Sequence, residues 1–235
     1  MIFPFLCVII KIGFNNRYCI GEGIISLAEG KFDWRNKMEK QNKSFFTARN
    51  ITALAVLLAL VIVLQIFASG IKIGAVTISL TLVPIVVGAM VLGPLAGAFL
   101  GFAFGLVTLI AGITGADPFT YVLFTDHPLL TAATCLVKGT ASGFVSGLVF
   151  KAITNKKVST FVAAAVAPVV NTSLFILGAL FMSDTLSANF VADGQSVFYF
   201  LVIGCAGVNF LTELSINLIL APSVFTVYRL VENKF

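Results

Sequence analysis

Charge is almost absent from the interior of the apolar stretches that fill this chain. From Phe45 to Leu230 one apolar segment follows another, and only Lys138 and Glu213 sit well inside them. Stretches near 20 apolar residues match a bilayer core of roughly 30 Å, where a backbone must satisfy its own polar groups. The expected fold is therefore an all-α integral membrane protein. Composition agrees, with 59% hydrophobic and 11% charged residues, against about 25% charged in soluble domains. An ionisable group at membrane depth is costly, so Lys138 and Glu213 mark the candidate functional site.

Six spans are expected: about Phe46–Ala68, Val76–Leu92 with Pro84 inside it, Pro94–Ile113, Leu129–Phe150, Thr160–Met182 and Val197–Val227. Loop charge sets their orientation. Lys40, Lys43 and Arg49 precede the first span, Lys151, Lys156 and Lys157 separate the fourth and fifth, and Arg229 and Lys234 follow the sixth. The opposite connections carry Asp117, Asp126, Asp184 and Asp193, with Lys72 as their only basic residue. Six spans with both termini cytoplasmic satisfy the positive-inside rule throughout. The net charge of +5 follows from this bias and is no sign of nucleic-acid binding.

Residues 1–37 do not match the rest. Ile2–Ile12 is apolar but too short to span, and it lacks the basic start and cleavage site of a signal peptide. Met38-Glu-Lys-Gln-Asn-Lys-Ser44 resembles an ordinary bacterial amino terminus. The expectation is a native start at Met38, a non-native or disordered leader over 1–37, and a membrane domain over 38–235. The four cysteines, Cys7, Cys19, Cys135 and Cys205, form no CxxC, and His127 is the single histidine. No metal and no cofactor is expected.

Two glycine ladders recur at spacing four: Gly93, Gly97, Gly101 and Gly105 in span three, and Gly139, Gly143 and Gly147 in span four. That spacing puts each set on one helix face, where a neighbouring backbone can approach closely. Tight packing is the favoured reading over a substrate groove. No inverted repeat of the kind found in secondary transporters is visible.

Lys138 lies about ten residues into span four from its outer end. Asn209, Glu213 and Asn217 share a face of span six, and Asn171 falls near the middle of span five. If these spans are neighbours, Lys138, Asn171, Asn209 and Glu213 converge on a polar pocket, with Thr134 one turn above Lys138. Two readings stay open: Lys138 and Glu213 neutralise each other as a structural pair, or they and the amides hydrogen-bond a small polar molecule. The outward loop Asp117–Pro128, with Phe119, Tyr121 and Phe124, reads equally as a lid or as an interfacial aromatic belt. His127 reads as a surface turn residue. No GxxxxGK[ST], HExxH or GxSxG occurs, so the chain is not read as an enzyme, and ATP hydrolysis would fall to another subunit.

On these residues the chain resembles the substrate-binding S component of energy-coupling factor (ECF) vitamin transporters, over about Ser44 to Val231. The resemblance rests on Ala55-Val-Leu-Leu-Ala59, on Leu82-Val-Pro-Ile-Val-Val-Gly-Ala-Met-Val-Leu-Gly-Pro-Leu-Ala-Gly97, on Lys138-Gly139, on Pro168-Val-Val-Asn171 and on Asn209-Phe-Leu-Thr-Glu-Leu-Ser-Ile-Asn217. It implies a six-helix membrane subunit that captures a vitamin from outside and docks, through Ala55 and Ala59, on a transmembrane T component with two cytoplasmic ATPases. A bacterial cell membrane is the implied location. Lys138 favours a carboxylate and the Asn amides favour hydroxyl or amide groups. Pantothenate is the first candidate and riboflavin the second, with folate, nicotinate and pyridoxine-type compounds behind. The alternatives are an ion- or proton-coupled secondary transporter built on Glu213, a membrane-embedded enzyme, and a structural membrane subunit.

Overall fold

Proline and asparagine start most of the long helices. The computed structural model describes residues 48–68, 72–73, 76–77, 80–191 and 195–232. The expected leader over 1–37, the expected start at Met38, and Lys40, Lys43, Asp193 and Lys234 lie outside the described residues. Helix α1 spans Ala48–Ala68. A short antiparallel pair follows, β1 (Lys72–Ile73) with β2 (Val76–Thr77), in register Lys72 to Thr77. Helix α2 covers Leu82–Val91. Gly93, at φ 104°, turns the chain into α3 (Pro94–Ile113), with Pro94 at its first position. Pro118 opens α4 (Pro118–Asp126) and Pro128 opens α5 (Pro128–Ala152) in the same way. A proline there wastes no hydrogen bond, because the first N–H groups of a helix have no partner within it.

Asn155 caps α6 (Lys156–Leu180), its side chain accepting from the N–H groups of Lys157 and Val158. A short α7 (Ser183–Asn189) and a one-turn α8 (Val197–Tyr199) follow. The last long element starts as a π-helix over Phe200–Gly207 and continues as α9 (Val208–Glu232).

The chain divides into two units, Met1–Val56 and Leu57–Phe235. Of the first, the described part is the start of α1, where Thr52 donates its hydroxyl proton to the Ala48 carbonyl at 2.9 Å. In the second unit, α3 and α5 pack along their whole length, α6 packs against α5 on one side and α9 on the other, and α2 touches α3, α5 and α9.

The glycine ladders make the α3–α5 seam. A Cβ added to Gly97 would lie 2.5 Å from the Gly143 carbonyl oxygen, and one on Gly101 would strike the Gly139 carbonyl outright. Gly147 faces the Pro94 backbone in the same manner, at 2.7 Å. Two backbones therefore run almost in contact, as the packing reading of the ladders expects. One apolar core at the lysine-bearing end joins Val86, Met90, Phe150, Ala164 and Val224. A second, at the aspartate-bearing end, joins Phe119, Leu123, Met182, Leu186 and Leu201.

Five described helical segments are long and apolar enough to cross a membrane, and Leu82–Val91 is a shorter apolar helix. The expected second span thus differs from what is found. Val76 and Thr77 are extended and paired, and helix begins only at Leu82. Its ten residues rise about 15 Å, half of a bilayer core. Val76, Thr77 and Ile78 are β-branched, a type that favours extended backbone, and hydropathy alone is blind to that difference. The sixth expected span is likewise not one regular helix but α8, the π segment and α9.

Candidate functional site

Helices α5, α6 and α9 supply the polar residues expected to converge. On α9, Asn209 donates from Nδ2 to Oε1 of Glu213 at 3.3 Å. Glu213 is 1% exposed, and from α6 Asn171, 5% exposed, turns its side chain toward the same carboxyl. The structure therefore brings Asn171, Asn209 and Glu213 together from two adjacent helices.

Lys138 approaches from α5. Its Nζ stands 5.0 Å from the centre of the Phe175 ring, and Phe175 follows Asn171 by one helical turn on α6. A cation over an aromatic face gains about 0.5–2 kcal/mol, more as water is excluded. The Lys138 charge acts on the Glu213 carboxyl, yet among the described residues no ion pair joins them. Oε1 is occupied by Asn209, and among the described residues Oε2 has no hydrogen bond of good geometry.

Two further polar side chains donate to carbonyls of their own helices. Thr134 gives its hydroxyl proton to the Leu130 carbonyl at 2.8 Å, and its side chain fills the space beside Gly178 of α6. It serves the α5–α6 contact. Asn217 donates from Nδ2 to the backbone carbonyl of Glu213 at 2.8 Å, so its amide is spent on its own helix.

Four buried polar atoms find no hydrogen-bond partner among the described residues: Asn171 Oδ1, Thr172 Oγ1, Asn209 Oδ1 and Glu213 Oε2. A buried polar group left unsatisfied costs about 1–3 kcal/mol, and native interiors hold few of them. Thr172, 8% exposed, escaped the reading of the sequence. Its neighbour Asn171 was the available signal, a second polar residue beside it in an apolar helix.

An aromatic series borders the site toward the aspartate-bearing end. Phe175 meets Phe119 of α4 at 5.9 Å, Phe119 meets Phe190 at 5.0 Å, and Phe190 stacks with Phe200 of the π segment at 6.3 Å between centres. The loop expected over Asp117–Pro128 is mostly helix, and its aromatics divide. Phe119 is buried at 4% exposure and Tyr121 is 47% exposed. His127 joins α4 to α5 as the C-cap of one and the N-cap of the other.

Ala55 and Ala59 are both exposed on α1. Apart from the polar cluster, an open groove of about 440 Å³ lies between α3 and α5, lined by Ala98, Phe102, Leu136, Val137, Thr140 and Phe144. Its walls are almost wholly apolar, and the Thr140 hydroxyl is bonded to the Leu136 carbonyl at 2.7 Å. Such a surface suits lipid chains rather than a polar solute.

The family model for the substrate-specific component of ECF transporters matches residues 49–225. The chain belongs to that family. An S component is a membrane-bound, substrate-specific transporter subunit rather than an enzyme, and the long apolar helices make this one a multi-pass membrane protein. No curated protein and no solved structure matches the S component described here significantly.

Proposed function

We propose that this S component captures a vitamin-like solute from outside the cell for an ATP-driven importer of a bacterial cell membrane, with Lys138, Asn171, Asn209, Glu213 and Thr134 as its binding residues. The observation that carries this reading is the set of buried side-chain oxygens on α6 and α9 that accept no hydrogen bond among the described residues. A purely structural subunit gains nothing from such atoms, whereas a binding site needs them.

The proposal includes six crossings with both termini cytoplasmic. Extended residues rise about 3.3 Å each, so the extended residues before α2 lengthen its short helix toward a full crossing. Lys151, Lys156 and Lys157 then face the cytoplasm, as does Arg229, and Asp117, Asp126 and Asp184 face outward. A T component would dock on Ala55 and Ala59, whose small side chains allow close helix approach. Two cytoplasmic ATPase subunits would supply the hydrolysis for which this chain has no phosphate loop. Pantothenate, with a carboxylate, hydroxyls and an amide, is the first candidate solute, and riboflavin the second.

Mass spectrometry of small molecules released from the purified chain tests the reading. One stoichiometric vitamin supports it. A folded but empty protein that moves solute in ion-driven vesicles would replace it with a secondary transporter centred on Glu213. Leucine at both Ala55 and Ala59 should abolish co-purification of the T component and leave vitamin binding intact; retained co-purification would remove α1 as the docking surface, and loss of both would mean that the bundle misfolds.

A further inference from the structure

The unsatisfied atoms of the site are unequal in kind. Asn171 Oδ1 and Asn209 Oδ1 are amide oxygens, which only accept, and an ionised Glu213 Oε2 likewise only accepts. Asn209 is fixed in orientation, because its Nδ2 is engaged by Glu213 Oε1 at 3.3 Å. Turning that amide over would set oxygen against oxygen. The α6–α9 side of the site therefore holds three unpartnered oxygens, Glu213 Oε2 and the two amide oxygens, with Thr172 Oγ1 as a further unpartnered group on α6.

Across from them, on α5, stands the Lys138 ammonium, a donor and a cation, held over the Phe175 ring at 5.0 Å. Phe175 and Asn171 are one turn apart on α6, so the cation and the acceptors flank a single stretch of helix. A carboxylate placed against the acceptors would meet two amide oxygen dipoles and, with Glu213 ionised, a like charge. The same carboxylate at Lys138 meets the only opposite charge the cluster offers.

Resting on the proposal that this cluster binds the transported solute, we infer that the site admits its ligand in one orientation. An uncharged end carrying at least two O–H or N–H donors enters against Asn171, Asn209 and Glu213, and the anionic or acceptor-rich end stays at Lys138. The ligand class is a small solute with separated donor and acceptor ends. A simple aromatic carboxylate without O–H or N–H groups is excluded.

The test titrates the full-length chain in nanodiscs with pantothenate, riboflavin, pyridoxine, folate and nicotinate. The tightest binder is expected to carry hydroxyl or N–H donors. Glu213→Gln, which replaces an acceptor by a donating amide, and Asn171→Leu should each weaken it by about tenfold or more. Lys138→Met should weaken probes that carry a carboxylate most, and acceptor-rich neutral probes less. Asn171 and Glu213 lie on different helices, so Asn171→Leu alone carries the comparison when Glu213→Gln does not fold.

Tight binding of nicotinate, which has no neutral O–H or N–H donor, would overturn the inference. So would unchanged affinity in both acceptor variants, a result that leaves vitamin capture itself standing. Sodium chloride raising the melting temperature over choline chloride in the wild type but not in Glu213→Gln would make the cluster a cation site instead. If none of the five probes binds and no small molecule is released from the purified chain, the capture reading falls and takes the inference with it.

Discussion

The α3–α5 seam and the α6–α9 cluster are both helix contacts within one bundle, and they use the polar backbone and side chains in opposite ways. At the seam, glycine removes the side chains, and carbonyls such as those of Gly97 and Gly143 lie against the facing helix. Nothing there is left to recruit a solute. At the cluster, two helices meet over a carboxyl and two amides, three of whose oxygens accept nothing among the described residues. The bundle thus concentrates its close packing in one contact and its unmet hydrogen-bonding capacity in another. A rigid seam beside an under-satisfied one is what a binding scaffold requires, because ligand energy is then not consumed in rearranging the frame.

The largest effect that could break this comparison lies at the seam. Gly101→Leu should abolish folding, since even a Cβ at that position collides with the Gly139 carbonyl. Overpacking commonly costs 1–3 kcal/mol and occasionally more, and backbone on the far side cannot swing away. Recovery of monodisperse, heat-stable protein would show that the seam is looser than the geometry states. Next comes Lys138→Ala, expected to weaken an anionic vitamin by about 2–4 kcal/mol, the scale for truncating a buried charged contact. Calorimetry reads it directly, and unchanged affinity would remove Lys138 from the site. The smallest effect is expected for Ser142→Ala. The Ser142 hydroxyl donates to the Ala167 carbonyl across the α5–α6 contact at 2.9 Å, so its loss should cost about 1 kcal/mol of stability and leave affinity unchanged. A fall in affinity would mean that the frame and the site are coupled through Pro168, which that bond adjoins.

Much of the frame was legible in the residues. Glycine every fourth position has one efficient use between membrane helices, and Pro94–Ile113 came out with the bounds its hydropathy set. The polar cluster was legible for a related reason, since Asn171, Asn209 and Glu213 are conspicuous in apolar surroundings. Their relation to Lys138 was not. Spacing along one helix says nothing of which side chain closes on which, and the Phe175 ring that receives the cation is one of 23 phenylalanines. The short helices were hidden because a nine-residue segment such as Pro118–Asp126 carries too few turns for a clear period. Its sequence signal was the Asp117-Pro118 start, a residue type that flanks helices followed by a proline at the first helical position. Gln65 was a missed signal of the same kind. It is 4% exposed on α1, accepts from Thr81 at 2.8 Å and donates to Thr108 of α3 at 3.3 Å. A lone Gln in an apolar span announces a buried partner, though not which one.

The glycine seam also bears on how such a protein can change over time. At Gly97, Gly101, Gly139 and Gly143 nearly every substitution brings a collision with the opposite backbone, so mutational drift is shut out there whatever the cargo. At Asn171, Asn209 and Glu213 no glycine holds two backbones together, and the proposed solute site draws its side chains from there and from Lys138, next to the ladder on α5. On that proposal the backbone frame is held by glycines while the cargo is set by side chains, so a lineage can exchange one solute for another without loosening the seam.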